Sequence, residues 1–203
     1  MARFTNQAQL RYGNAVTNSN IAVGEILEVL SATKTAVRNT YGQSDTVTYI
    51  VSIVNSGTTP ITGISVTDNL GEYTFGTTTL VPLTYIDGTV KYYVNGVLQP
   101  SAVVTAGPPL VMSGITVPAG GSVTVAYEAA VNEFAPLDTT SVINNTAIVA
   151  GTGITPITAE EEITVESTPV LTITKSVSPV PVTENGTLTY TFLIQNSGNV
   201  AAD

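Results

Sequence analysis

Three polar residues occupy strand positions that should be apolar. With the two-residue period of a β-strand, Leu30, Ala32 and Ala36 of VLSATKTAV share a face with Lys34. In ITGISVTD, Ile64 and Val66 share a face with Asp68, and in VINNTAIV, Ile143, Ala147 and Val149 share one with Asn145. A buried charge without a partner costs more than most core contacts return, so three inward polar groups must meet one another. Two arrangements satisfy them. In one, Lys34 and Asp68 form a buried, hydrogen-bonded ion pair and Asn145 satisfies the remaining donors. In the other, desolvation lowers the pKa of the lysine and raises that of the aspartate. A neutral Lys34 then attacks the Asn145 carboxamide while a protonated Asp68 polarises it, ammonia leaves and an isopeptide bond remains. The residues alone leave both open, and both depend on the strand phase.

The lysine pattern recurs. In VLTITKSV, Leu171, Ile173 and Val177 flank Lys175, and near the N-terminus Asn6 shares its face with Phe4, Ala8 and Leu10. Asn6 of one chain and Lys175 of the next are therefore a candidate intersubunit contact, although the matching acid would fall beyond Asp203.

Such side chains need rigid strands to hold them, and the composition supplies β-formers. Of 203 residues, 43% are hydrophobic and only 10% charged, with Thr, Val, Gly, Ser and Asn throughout. The absence of Cys, His and Trp excludes thiolate nucleophiles, disulfides, imidazole bases and the common zinc sites. No enzyme, cofactor or metal site is expected. A net charge of −9 with six scattered basic residues gives no footprint for nucleic acid or an anionic membrane. No apolar run approaches the about 20 residues of a membrane span, and no signal peptide is visible in MARFTNQAQLRYGN.

Alternating runs over 45–55, 61–68, 89–94, 122–131, 141–150 and 159–166, punctuated by turns such as Asn95-Gly96, predict an all-β, immunoglobulin-like sandwich. Shifting the chain by 141 residues aligns 29–57 with 170–198 without a gap, at 11 identities in 29. Tyr49 then matches Tyr190, and Asn55-Ser56-Gly57 matches Asn196-Ser197-Gly198. FTNQAQL in turn resembles VINNTAIV. The organisation expected is a hairpin over 1–28 resembling the closing strands of a sandwich, a complete sandwich over 29–168, and the opening strands of a second over 169–203. Open apolar faces and strand edges invite association, so head-to-tail strand exchange between copies is one expectation; a cut through a longer tandem array is the other.

The motifs TKSV, GTLTY, VTDNL and NNTA together resemble the bacterial surface-protein repeats catalogued as domain of unknown function eleven. That resemblance covers nearly the whole chain. It implies immunoglobulin-like modules of cell-wall stalks, adhesins, surface layers and endospore appendages, and hence an extracellular, cell-surface or spore-surface location. Lysine, acid and asparagine on separate strands also look like the self-crosslinking sandwiches of bacterial pili and adhesins. The function expected is a structural subunit of a fibre or appendage with itself as partner; the alternative is an adhesin or stalk module binding a surface ligand. Glu160-Glu161-Glu162 followed by Glu166 reads as a solvated strand edge, and Tyr92-Tyr93 as a half-buried hairpin pair.

Overall fold

The computed structural model describes residues 2–26, 28–100 and 102–202; Met1, Leu27, Ser101 and Asp203 lie outside the described residues. Its strands number twenty, and no helix occurs among the described residues. An N-terminal arm holds β1 (Ala2–Asn6), β2 (Gln9–Tyr12), β3 (Ala15–Asn18) and β4 (Ala22–Ile26). The central unit runs through β5 (Leu30–Ala36), β6 (Thr40–Tyr41), β7 (Thr46–Asn55), β8 (Ile61–Asp68), β9 (Tyr73–Phe75), β10 (Thr78–Leu80) and β11 (Leu83–Tyr85). It continues with β12 (Lys91–Val94), β13 (Val97–Gln99), β14 (Val103–Thr105), β15 (Leu110–Val117), β16 (Ser122–Val131), β17 (Val142–Ala150) and β18 (Ile157–Val165). A final hairpin pairs β19 (Leu171–Ser178) with β20 (Thr189–Asn196).

Two six-stranded sheets face each other. One has the order β13-β12-β16-β7-β5, with β11 also on β16; the other has β14-β15-β8-β17-β18-β6. The alternation in TVTYIVSIVN and SVTVAYEAAV sends every second residue inward, so Val47, Tyr49, Val51 and Ile53 meet Val123, Val125, Tyr127 and Ala129 as cross-strand neighbours. Ile64, Val66, Met112, Ile115, Ala147 and Val149 close the core from the other sheet. This is an immunoglobulin-like sandwich. The β12–β13 hairpin turns at Asn95 and Gly96, both left-handed at φ 49° and 79°, as a two-residue turn matched to strand twist requires.

The second hairpin repeats the first strand pair residue for residue. Lys34 stands opposite Val51 and Ala36 opposite Tyr49; Lys175 stands opposite Phe192 and Val177 opposite Tyr190. Asn55 Oδ1 accepts from Gly57 N at 2.9 Å, and Asn196 Oδ1 from Gly198 N at 3.0 Å. The surroundings differ. Among the described residues no second sheet covers β19 and β20, and Ile173 and Ile194 are each 66% exposed. Asn199 ties this hairpin to the sandwich by donating to Glu166 O at 2.8 Å and Leu137 O at 3.1 Å.

The N-terminal arm is also a hairpin, but its strand is not continuous through FTNQAQL. The ladder breaks after Asn6 because the register slips by one residue, Asn6 facing Ala22 but Gln9 facing Asn18; Ser19 fills the break, its Oγ accepting from Ala8 N at 3.0 Å and its carbonyl from Gln7 Nε2 at 2.8 Å. Phe4, Leu10, Tyr12 and Val23 are all exposed.

Candidate functional site

β5, β7 and β16 lie side by side and set Lys34, Tyr49 and Tyr127 on the core face of one sheet; β8 and β17 set Asp68 and Asn145 on the facing one. Lys34 is 3% exposed, and Asp68 and Asn145 are fully buried. Lys34 Nζ donates to Asp68 Oδ2 at 2.6 Å. Tyr127 Oη donates to the same oxygen. Asn145 Nδ2 donates to Tyr127 Oη at 3.4 Å, so hydrogen bonds run unbroken from amine through carboxylate and phenol to carboxamide.

The turn after β8 completes the shell. Leu70 and Gly71 are both left-handed, at φ 56° and 74°. Leu70, a branched residue in an unfavourable region, is held there by burial, and its N–H reaches Asp68 Oδ1 at 3.0 Å. Gly71 has no tolerable substitute, since a Cβ would lie 2.6 Å from Ile143 Cγ2. Its N–H is shared between Asn69 Oδ1 at 3.0 Å and Asn145 Oδ1 at 3.2 Å.

Burial pushes the Lys34 pKa down to about 8, against the opposing attraction of Asp68 and, further off, Glu161. The ammonium lies 4.9 Å from the centroid of the Tyr49 ring, which stacks on Tyr127 at 5.7 Å and 24°. Burial raises both phenols, with the Asp68 charge adding to the rise at Tyr127. The Tyr49 hydroxyl is buried without a hydrogen-bond partner. Chemically, the arrangement offers an amine that loses its proton near pH 8, a carboxylate beside it, and a carboxamide whose oxygen already accepts a backbone N–H.

Two further side chains of this shell, Tyr127 and Glu161, do not stand out as a break in an apolar phase. Tyr127 shares its face with Val125 and Ala129, and an inward phenol signals a polar partner. In ITAEEEITV, Glu161 shares a face with Ala159 and Ile163, is half-buried and stands opposite Asn145. The glutamate run is therefore not a uniformly solvated edge. Glu160 and Glu162 are exposed while Glu161 turns inward, and Glu166 accepts from Arg38 Nη2 at 2.8 Å and Thr40 Oγ1 at 3.0 Å. Nor is β18 a free edge at its end, where β6 pairs with it in parallel. Tyr92 and Tyr93 are half-buried, and the Tyr92 hydroxyl donates to Thr116 O at 3.3 Å.

Asn6 and Lys175 stand apart from this cluster. Asn6 pairs with Ala22 in the N-terminal hairpin, and Lys175 lies 4.4 Å from the Tyr190 ring centroid and 5.3 Å from that of Phe192. No hydrogen bond joins them within the chain among the described residues.

No family model matches the sequence, and no curated protein does. Solved structures show the fold. The chain is similar to BcpA, the major pilin subunit of Bacillus cereus, at 9% identity and a TM-score of 0.53, covering 97% of this chain and 64% of that one. It is similar also to the full-length major pilin SpaD from Corynebacterium diphtheriae, at 15% identity and a TM-score of 0.50, covering 73% of this chain and 37% of that one. The chain thus spans less than two thirds of either pilin.

Proposed function

We propose that this protein is a structural subunit of an extracellular or spore-surface fibre, assembled head to tail by β-strand complementation and reinforced by an isopeptide bond between Lys34 and Asn145. The observation that carries this reading is the β19–β20 hairpin. It reproduces the register of β5 and β7, yet its apolar face, with Ile173, Phe192 and Ile194, meets solvent where β5 and β7 meet a second sheet. A second copy of this chain can supply that sheet through its N-terminal hairpin, whose Phe4, Leu10 and Val23 are also exposed. Such a contact is heterologous, so repetition gives a filament. In it, Asn6 of one copy approaches Lys175 of the next. The resemblance to the domain of unknown function eleven and the pilin-like fold are consistent with this role.

The test is electron microscopy of the purified chain beside a variant lacking residues 1–24. Filaments from the full chain, none from the variant, and an unchanged central sandwich by circular dichroism are expected. Filaments from the variant would remove strand complementation. A monodisperse full chain that captures a glycan or protein ligand would favour the adhesin or stalk reading.

A further inference from the structure

Resting on the proposed Lys34–Asn145 bond, we infer that Tyr127 is a catalytic residue of its formation, carrying the proton from Asp68 to the departing amide nitrogen. Asp68 Oδ2 accepts from the Lys34 amine, while Asn145 Nδ2 donates to Tyr127 Oη at 3.4 Å. Asp68 makes no hydrogen bond of its own to the carboxamide; the phenol stands between, bonded to both. A proton leaving the amine therefore reaches the leaving group through Tyr127.

The step balances without an outside reagent. Lys34 gives one proton to Asp68, and its lone pair attacks Asn145 Cγ. The C=O π pair moves onto Oδ1, which the Gly71 N–H stabilises. Once the carbon is tetrahedral, the Asn145 nitrogen holds a lone pair, and its hydrogen bond to Tyr127 reverses. Tyr127 then gives its proton to that nitrogen as it takes one from Asp68. The C–N bond breaks with its electron pair on nitrogen, and the second ammonium proton of Lys34 leaves with the ammonia as ammonium. The high phenol pKa imposed by burial keeps Tyr127 protonated and able to act in this way. Lys34, Asp68 and Tyr49 face Tyr127 across the cluster, and Glu161 lies at its margin; the Tyr49 phenol also lies beside the Asn145 carboxamide, but it is Tyr127 that is hydrogen-bonded to both Asp68 and Asn145.

The experiment follows the mass of newly synthesised full-length chain over time. Wild type should lose one ammonia; Tyr127→Phe should fold, as judged by near-ultraviolet circular dichroism, yet lose it at least about 100-fold more slowly. A Tyr127→Phe chain that reacts at the wild-type rate overturns the relay and leaves the bond intact, whereas a wild-type chain at its full calculated mass overturns the bond itself. Should Tyr127→Phe fail to fold, 3-fluorotyrosine at position 127 keeps the shape and hydroxyl while lowering the phenol pKa. The relay then requires a shifted pH profile of ammonia loss, and an unshifted profile overturns it.

Discussion

Lys34 and Asp68 come from opposite sheets of the sandwich and meet at 2.6 Å with both side chains excluded from solvent. Removing either charge strands the other. In chains without the covalent bond, Asp68→Ala is expected to cost about 3–5 kcal/mol in urea unfolding. With the proposed bond, the wild type should fall short of its calculated mass by one ammonia, while the same variant and Lys34→Ala should show the full calculated mass for their sequences.

The depressed lysine pKa sets a pH dependence, best read in Asn145→Ala, which cannot form the bond. Folded Lys34 loses its proton near pH 8, whereas the unfolded lysine keeps it to about 10.5. Between these values the unfolded chain binds more protons, so stability rises with pH across that window. Above about 10 the trend reverses, because Tyr127 stays protonated in the fold and ionises when unfolded. Denaturant midpoints from pH 6 to 11 (roughly the span of these titrations) should rise and then fall; a flat profile would contradict the burial of a titrating lysine.

Tyr49→Phe removes a buried hydroxyl that has no partner. The expected result is a gain of about 1 kcal/mol in thermal or denaturant unfolding, with the ring stack on Tyr127 kept.

Asn55→Ala should be costly. Its amide donates to Thr59 O at 2.8 Å and Pro118 O at 3.0 Å and accepts from Gly57 N, tying the end of β7 to two loops. A loss of about 2–4 kcal/mol is expected from denaturant unfolding, since several backbone groups lose their partner together.

Ile194→Asp places a charge in the exposed apolar face of β20 without touching the sandwich core. Filament formation should cease while the unfolding midpoint of the central unit is unchanged.

Strand existence was legible where alternation was strict. Alternation predicts 61–68 and 122–131 at the observed bounds of β8 and β16, because every second residue of β16 is buried, and so are Ile64, Val66 and Asp68 of β8. The stretch between Tyr73 and Val117 was largely illegible: β9, β10, β11 and β14 have three residues each, too few to show a period, and β15 is bent by register shifts around Gly114. β6 has two residues and pairs in parallel with β18, more than a hundred positions away, a contact no local pattern signals. The polar trio was visible because polar residues broke an apolar phase. Tyr127 was not, since tyrosine counts as apolar in such a pattern and its hydroxyl is what matters here. Glu161 was hidden by glutamates on both sides.

The parallel pairing of β6 with β18 has a mechanical meaning. It brings Thr40 and Tyr41, near the beginning of the sandwich, beside Thr164 and Val165 at its end, with Arg38 and Glu166 clasped next to them. Tension entering at β5 and leaving after β18 would load that clasp in shear. A bond from Lys34 to Asn145 would divert the pull from β5 straight into β17 and out through its neighbour. The long stretch of chain between those two residues, with β7, β8 and β16 inside it, would then carry no load, and the sandwich would act as a short inextensible link.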